Sequence, residues 1–311
     1  MASLLDRLIP GKNRRIDLSR DLLKSVLVLG AVIEARDAYT GGHTWRVAQY
    51  SRLLAEQAGL SASEVFLSGL GGFIHDIGKV GIPDQVLNKT GRLSEDEFSL
   101  LKTHPTVGKK LLDNHPLGPL VLDSITYHHE RYDGQGYPSG IGSQSLSIYP
   151  RIIAVADCFD AMTSTRSYRK GMPKDVALGI LAELRNTQLD GMLVDSFLGF
   201  DVTRRLDHTL GHSDEGRRLA NCPMDGLIVA LPRYKEDGDM VYCHACKGIY
   251  RLHIAQDTFE LEATGQQRFD LQPEIDLELI NDLASGAPRS IALQREMSNQ
   301  ENMDKHGSPW E

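Results

Sequence analysis

Apolar side chains recur every three or four residues through the first two thirds of the chain, a spacing that predicts amphipathic helices. Between residues 17 and 36 they fall at Leu22, Val26, Leu29 and Ile33. The same spacing predicts further helices over residues 44–57, 61–75, 95–103, 117–129, 149–162, 174–186 and 195–206. No alternation of apolar and polar residues appears before about residue 220. This part of the chain is therefore predicted to be an all-α bundle.

Two of the predicted helices carry a start signal of their own. Ser61 is followed by Glu64, and Ser94 by Glu97. This is the spacing of a capping box, in which the serine and glutamate side chains satisfy each other's backbone N–H groups. We therefore expect helices to begin directly after residues 61 and 94.

The composition changes near residue 213, where short apolar runs replace the helical spacing. Strands are predicted over residues 227–231, 240–242 and 248–254. After residue 262 the chain is rich in polar residues, with a short helix predicted near 274–283 and disorder near 299–311. We therefore divide the chain into a leader (1–16), a helical domain (17–212), a small β unit (213–262) and a partly disordered polar tail (263–311).

The charge of the chain narrows the range of functions. Its 311 residues carry a formal net charge of −8 with a pI near 5.8, which argues against binding a nucleic-acid polymer through a basic surface. No apolar run approaches the roughly 18 residues of a membrane span. The first ten residues lack the apolar core and cleavage site of a secretory signal. These features predict a cytoplasmic protein without a membrane span.

Candidate catalytic residues lie in the apolar, glycine-spaced run at residues 73–80. His75 and Asp76 are adjacent, and Lys79 follows three residues later. An imidazole beside a carboxylate can ligate one metal ion or help to bridge two, and the lysine could meet an anion held there. A helix end with three solvated polar residues explains this short pattern equally well.

Five further side chains of metal-binding types stand near predicted helix ends or on a buried face: His43, His104, His128, His129 and Asp157. Asp157 lies in an apolar run, where an unpaired carboxylate would be costly to bury. Mixed imidazole and carboxylate ligands suit iron or manganese, and zinc is also compatible. Seven side chains exceed what one ion needs, so two metal ions with a bridging carboxylate fit better.

Several stretches of the chain, in order, resemble the HD-GYP domain, a branch of the HD phosphohydrolase superfamily. They are TGGH at 40–43, HDIGK at 75–79, GIPD at 81–84, LNK at 87–89, HP at 104–105, HHERYDGQGYP at 128–138, DCFDAM at 157–162 and RSYR at 166–169. The signature at 128–138 is the most specific of them. The resemblance covers residues 17–212. It implies an HD-type helical bundle, a centre of two or three metal ions, and phosphodiesterase activity on cyclic di-GMP.

The resemblance also implies a ligand set, carried over by position. For one metal ion it implies His43, His75, Asp76 and Asp157. For a second it implies His104, His128 and His129, with Asp76 as the bridge. Some family members hold a third ion with a glutamate four residues before the histidine that matches His43, and here that position is Tyr39. A phenol replaces a carboxylate poorly, so we expect two divalent ions, iron or manganese, that activate a shared water.

Five residues are candidates for substrate contacts. Lys79, three residues after Asp76, is expected at a phosphate oxygen. The resemblance implies Arg166 and Arg169 at phosphate or guanine, because the planar arginine fork suits both. Asp37 is a candidate for a guanine edge. Tyr137 is a candidate in the loop that shapes the site, with core packing as the alternative. With two metal ions, linear pGpG is expected as the main product, and a second cleavage to GMP as slower.

Two other functions stay open from the sequence. One is a related hydrolase that acts on another cyclic nucleotide. The other is a non-catalytic effector that binds cyclic di-GMP, or a GGDEF-type synthase through the loop at residues 133–138. The intact ligand set disfavours the effector. A homodimer is compatible with the sequence.

A second metal site is predicted in the small β unit, where two short motifs flank the expected hairpin. Its ligands would be Cys222, Asp225, Cys243 and Cys246, with 17 residues between the two motifs. Two C-x-x-C knuckles at this spacing are typical of a zinc ribbon, and here Asp225 stands where the first knuckle would have its second cysteine. His244 or His253 could replace Asp225 as a ligand. Alternatively, the cysteines are small core residues of a site that has lost its metal.

Overall fold

The computed structural model describes residues 13–37, 42–89, 91–142, 145–164, 171–199, 218–255, 258–271 and 275–288. The first two thirds of this described part is helical, as predicted. Its α-helices are α1 (Asn13–Arg36), α2 (His43–Gln57), α3 (Ala62–Ile74), α4 (Asp84–Leu87), α5 (Glu95–Leu101), α6 (His104–Leu112), α7 (Gly118–Tyr127), α8 (Ile148–Thr163), α9 (Lys174–Glu183) and α10 (Gly191–Leu198). A 3-10 turn over Ile77–Gly81 follows α3.

Both predicted capping boxes are present. The Ser61 hydroxyl accepts the Glu64 backbone N–H, and the Glu64 carboxylate accepts the Ser61 N–H at 2.9 Å. Ser94 and Glu97 repeat the pattern at the start of α5, with N···O distances of 3.2 and 2.6 Å. The two helices therefore begin directly after these serines, as their sequence indicates.

The last helix of the bundle differs from its predicted range of 195–206. It covers Gly191–Leu198, because the Asp190 side chain accepts the N–H groups of Met192 and Leu193 and so starts the helix earlier. Residues 200–206 lie outside the described part of the chain.

Two clusters of buried apolar side chains hold the bundle together. One joins α1, α3 and α7 and contains Phe73 and Ile125. The other joins α2, α8, α9 and α10, and in it the rings of Tyr50, Phe159 and Phe197 meet edge to face. Residues of α3 contribute to both clusters. The end of α3 is therefore held from both sides.

The C-terminal β unit contains two antiparallel sheets. β1 (Arg218–Asn221) pairs with β2 (Ile228–Leu231), and β4 (Gly248–Ala255) lies between β3 (Met240–Tyr242) and β5 (Thr258–Gln267). β1 was not predicted. β5 extends to Gln267, past the boundary expected at residue 262, because its side chains are mostly exposed and polar and hide the strand from a hydrophobicity pattern.

A further helix, α11 (Leu277–Ser285), packs against α1 and places Leu279, Ile280 and Ala284 in the first core cluster. This helix overlaps the one predicted near residues 274–283, and it is folded onto the bundle. Residues 299–311, where disorder was predicted, are outside the described residues. None of the described helices combines the length and the apolar character that crossing a membrane requires.

Candidate metal centre

Asp76 stands at the centre of the site, between the end of α3 and the 3-10 turn. Its Oδ2 lies 3.2 Å from Nε2 of His75 and 3.7 Å from Nε2 of His43. Its Oδ1 lies 3.3 Å from Nε2 of His104. The two carboxylate oxygens therefore face different histidines, which is the arrangement that a carboxylate bridging two ions requires.

The first group of ligand atoms comes from three separate elements. His43 is the first residue of α2, His75 follows α3, and Asp157 projects from α8. The Asp157 Oδ1 lies 3.5 Å from Nε2 of His43, and one ligand atom from each residue falls within 4.8 Å of the other two. Residues far apart in sequence are thus brought to one point.

The second group consists of histidines. His104 begins α6, and His128 and His129 follow α7. One ligand atom from each again lies within 4.8 Å of the others. Gly78 allows this approach, because a Cβ there would stand 1.8 Å from the carbonyl oxygen of His104. A side chain at that position would push α6 away from the 3-10 turn.

The histidines are oriented by hydrogen bonds on the far side of each ring. In four of them Nδ1 faces a fixed acceptor: Asp160 Oδ2 for His43 (2.7 Å), Gly72 O for His75 (2.7 Å), Leu101 O for His104 (2.8 Å) and Ile125 O for His128 (2.9 Å). Carbonyl and carboxylate oxygens only accept, so Nδ1 carries a hydrogen and, in the neutral ring, Nε2 presents a lone pair. Hydrogen bonds of this kind fix the ring orientation and the tautomer of metal-ligating histidines.

These features fit a divalent metal group. The Nε2 atoms of His104 and His128 are 3.1 Å apart, a separation at which two lone pairs repel each other and a shared cation relieves the repulsion. Burial lowers the pKa of His128 well below its usual range, and burial together with His104 lowers the pKa of His129 to about 3. Both rings are therefore neutral near pH 7, the state in which imidazole binds metals.

Lys79 and Asp37 were predicted to contact substrate, and the structure pairs them with each other. The Lys79 Nζ lies 3.0 Å from Asp37 Oδ2 and 2.9 Å from Asp76 Oδ2. Burial alone would lower the pKa of Lys79, but the Asp76 and Asp37 carboxylates outweigh burial and raise it. Lys79 is therefore a charged residue beside Asp76, and its contact with a phosphate oxygen stays a prediction.

Tyr137, the candidate in the loop that shapes the site, stacks on His129 with ring centroids 4.8 Å apart and an interplanar angle of 28°. It lies beside a cavity of about 510 Å³ that His128, His129, Asp157 and Gln135 also line.

Tyr39, Arg166 and Arg169 are outside the described residues. The predictions that rest on those three positions therefore stay predictions.

Asp160 lies within the DCFDAM motif at 157–162, but no role was predicted for it from the sequence. It is 1% exposed, and its carboxylate accepts the Nδ1–H of His43 and two N–H groups of Arg46, Nε at 2.5 Å and Nη2 at 3.1 Å. The signal that could have found it is its spacing from Asp157. Residues three apart on a helix share a face, so Asp160 points towards the same cluster.

Glu130 is a second residue without a predicted role. It is 4% exposed, and its carboxylate accepts the backbone N–H groups of Ser139, Gly140 and Ile141 at 2.6, 3.1 and 3.1 Å. The loop that follows His129 is therefore tied back to the residue next to that histidine. Glu130 thus holds the glycine-rich signature as a wall of the cavity.

A family model described as an HD domain matches residues 28–193, just over half of the chain. The chain belongs to the HD domain family, in the HD-GYP branch that its signature at 128–138 defines.

Several curated proteins are similar to the helical part. The cyclic di-GMP phosphodiesterase response regulator RpfG of Xanthomonas campestris is 39% identical over 198 residues, which are 63% of this chain and 52% of that protein. A cyclic di-GMP phosphodiesterase of Thermotoga maritima is 38% identical over 67% of this chain and 58% of its own length. The 3'3'-cGAMP-specific phosphodiesterase 3 of Vibrio cholerae is 36% identical over 53% of this chain and 36% of its own length. The chain thus spans between about a third and three fifths of these relatives.

Proposed function

We propose that the chain is a metal-dependent phosphodiesterase that hydrolyses cyclic di-GMP to linear pGpG. The observation that carries the proposal is the position of Asp76, whose two carboxylate oxygens face separate groups of histidines. The names of the relatives from Xanthomonas campestris and Thermotoga maritima support the same substrate.

The mixed set of imidazoles and carboxylates suits two divalent ions, iron or manganese with zinc also compatible, and its excess of imidazoles disfavours calcium and magnesium. Such ions, when bound, would supply an activated water and would neutralise charge on the phosphoryl oxygens. Other groups of the chain hold the proposed ligands in position. The Nδ1 hydrogen bonds fix each ring, and buried packing around α3 fixes the carboxylate of Asp76.

Lys79 would act on the substrate from beside Asp76. Its side chain is 15% exposed, and its ammonium group is paired with both Asp37 and Asp76. A phosphate that approaches Asp76 would be met by a fixed positive charge in a site of low dielectric, where such a charge acts strongly. Lys79 would therefore both orient the carboxylate and stabilise negative charge on the phosphoryl group.

The cavity beside Tyr137 offers room for the nucleotide. Its lining includes His129, Asp157, Arg131 and Gln135. The Tyr137 ring, already stacked on His129, gives a flat apolar surface of the kind on which bases stack. Recognition of GGDEF-type synthases through the loop at residues 133–138 stays a prediction.

A second candidate substrate is 3'3'-cGAMP, which differs from cyclic di-GMP in one base. The specific observation in its favour is that relatives of similar identity carry that substrate in their names. The metal centre would act on either phosphodiester in the same way. Contacts to the bases would then decide between the two substrates.

The test is to load the chain with Fe²⁺ or Mn²⁺, incubate it separately with cyclic di-GMP and 3'3'-cGAMP, and separate the products by chromatography. We expect pGpG to accumulate from cyclic di-GMP. Asp76→Ala should abolish turnover, whereas Asp96→Ala, which removes an exposed carboxylate on α5, should not. If the chain binds cyclic di-GMP but cleaves it with neither Fe²⁺ nor Mn²⁺, the result would favour the non-catalytic effector. If it cleaves 3'3'-cGAMP faster than cyclic di-GMP, the result would favour the second substrate.

A further inference from the structure

The C-terminal β unit contains two turns with the same hydrogen bonds. In the first, the Gly226 N–H donates to Cys222 O at 2.9 Å and the Cys222 N–H donates to Leu227 O at 2.8 Å. In the second, the Lys247 N–H donates to Cys243 O at 3.0 Å and the Cys243 N–H donates to Gly248 O at 3.0 Å. The residue at the fifth position of each turn has a positive φ, 72° and 61° respectively. The two turns are therefore repeats of one motif.

This repeat makes Asp225 the counterpart of Cys246. In the first turn the Leu227 N–H donates to Asp225 Oδ1 at 3.0 Å, and in the second the Gly248 N–H donates to Cys246 Sγ at 3.4 Å. The same backbone donor thus orients an oxygen in one turn and a sulfur in the other. The carboxylate replaces a thiolate and leaves Oδ2 directed away from the turn.

The four side chains converge on one point. Cys222 Sγ lies 3.7 Å from Cys246 Sγ, and Cys243 Sγ lies 3.5 Å from Asp225 Oδ2. One ligand atom from each of the four residues falls within 4.8 Å of the others. A tetrahedral zinc ion with Zn–S bonds of about 2.3 Å has sulfur–sulfur edges of roughly 3.8 Å. The cluster has the size of that tetrahedron.

We propose that Cys222, Asp225, Cys243 and Cys246 bind one structural Zn²⁺. Three soft thiolates and one carboxylate favour zinc over the harder ions. The Tyr250 hydroxyl lies 3.2 Å from the sulfur of Cys222 and 3.0 Å from that of Cys246, where it can donate to a thiolate. Tyr250 therefore supplies an outer contact of the kind that tunes metal sites.

The two alternative ligands fit the geometry less well. His253 points its Nε2 at Glu262, 2.9 Å away, and its side chain is 47% exposed. His244 is not among the clustered residues.

The proposed ion would hold a unit that has a small core. That core contains two of the ligands themselves, Cys222 and Cys243, at 1% and 2% exposure. Units of this size rarely keep their fold by apolar burial alone and use metals or disulfides instead. Binding of zinc to the four residues would connect β1, β2, β3 and β4 at one point. We therefore assign the ion a structural role.

The experiment uses the full chain and Co²⁺ as the probe, because thiolate-to-Co²⁺ charge-transfer absorption reports cysteine ligands and is silent for the histidine centre. We expect one thiolate-bound Co²⁺ per chain, displaced by Zn²⁺. Cys243→Ser should raise the zinc Kd by at least about 100-fold, beyond the 10–100-fold typical of losing an outer-shell partner. The matched control is Cys158→Ser, which removes the cysteine of α8.

Two further variants keep the test independent of folding and of the other metal centre. Asp225→Cys completes a four-thiolate site and should shift the Co²⁺ spectrum towards that of four sulfur ligands, with zinc bound at least as tightly. Asp76→Ala should leave the thiolate absorption unchanged. The proposal is overturned if the wild-type chain shows no thiolate absorption with Co²⁺, or if Cys243→Ser and Cys158→Ser retain equal zinc by elemental analysis.

Discussion

Asp160→Asn should weaken metal binding and destabilise the fold together, because one carboxylate accepts hydrogen bonds from two buried residues, His43 and Arg46. Its oxygens accept the His43 Nδ1–H at 2.7 Å and the Arg46 Nε–H at 2.5 Å. An asparagine offers one oxygen and one NH₂ group, so a donor meets a donor on one side or the other. If the NH₂ group faces His43, the ring gains a partner only by moving its hydrogen to Nε2, the atom that faces Asp76 and Asp157.

The magnitude follows from burial. Arg46 is 2% exposed, and Asp160 carries the carboxylate that faces its guanidinium. Removing one partner of a buried pair costs about 3–5 kcal/mol. The asparagine keeps one oxygen, so we expect the lower end, about 3 kcal/mol. In a domain of this size that free energy lowers Tm by about 6–12 °C. Loss of the outer contact to His43 should also lower metal affinity about 10–100-fold.

The assay has two readouts. Mn²⁺ affinity is measured by the electron paramagnetic resonance signal of the free ion, and Tm by circular dichroism of the metal-free protein. Asp270→Asn is the matched control, because Asp270 also accepts two N–H groups of an arginine, Arg268, at 2.7 and 2.6 Å, but on the exposed surface. That variant should change neither readout appreciably, since exposed pairs contribute little.

Some results would refute the reasoning. If Asp160→Asn binds Mn²⁺ as tightly as the wild type, Asp160 does not set the His43 tautomer. If the two asparagine variants lose equal stability, burial of the Arg46 pair is not what makes Asp160 important. If Asp160→Asn loses stability but keeps its Mn²⁺ affinity, Asp160 stabilises the core without contributing to metal binding.

Three further outcomes are expected. In the metal-free protein, Tm should fall as the pH is lowered from about 6.5 to 3, because burial, together with His104, lowers the pKa of His129 to about 3 and the unfolded chain takes up the proton first. A Tm–pH profile checks this, and an equally steep profile in His129→Phe would contradict it. Gly78→Ala should displace His104 and reduce metal occupancy measured by elemental analysis, because its Cβ would meet the His104 carbonyl. Glu130→Gln should speed amide hydrogen exchange at residues 139–141, because the amide keeps one oxygen for three N–H donors; unchanged exchange there would mean that the loop holds itself.

Much of the helical domain could be predicted from local signals. The capping boxes at Ser61 and Ser94 depend on residues three positions apart, and the structure reproduces both. The start of α10 was missed, because its cap, Asp190, precedes the predicted helix and binds N–H groups that the apolar spacing does not reveal. Helix boundaries depend on such single side chains more than on periodicity.

The residues that meet at the candidate site could be predicted from the sequence. The hydrogen bonds and ion pairs that orient them could not. Residue types and motif order identify the histidines and aspartates that meet at Asp76. Asp160 joins them through His43 and Arg46, whose positions lie more than 110 residues away in sequence. The pairing of Lys79 with Asp37 likewise depends on how α1 packs beside the 3-10 turn. Contacts of this range are set by tertiary packing, which local patterns do not encode.

The same limit applies to the C-terminal part. β5 is polar because one face of its sheet is exposed, so a pattern of hydrophobicity hides it. The docking of α11 on α1 joins residues some 250 positions apart. By contrast, the spacing of Cys222, Asp225, Cys243 and Cys246 was visible directly. The matching hydrogen bonds of the two turns, in contrast, become visible only in the folded structure.

The Leu219 side chain of β1 lies over Gly42, the residue directly before His43, so closely that a Cβ at Gly42 would stand 2.9 Å from it. Gly42 has a φ of 73° and leads into the helix that carries the histidine. Any free energy by which β1 holds this turn in place couples the order of the β unit to the position of His43. Such a coupling is reciprocal. The free energy by which a bound ion at His43 would stabilise the β unit therefore equals the free energy by which the ordered β unit would strengthen binding of that ion.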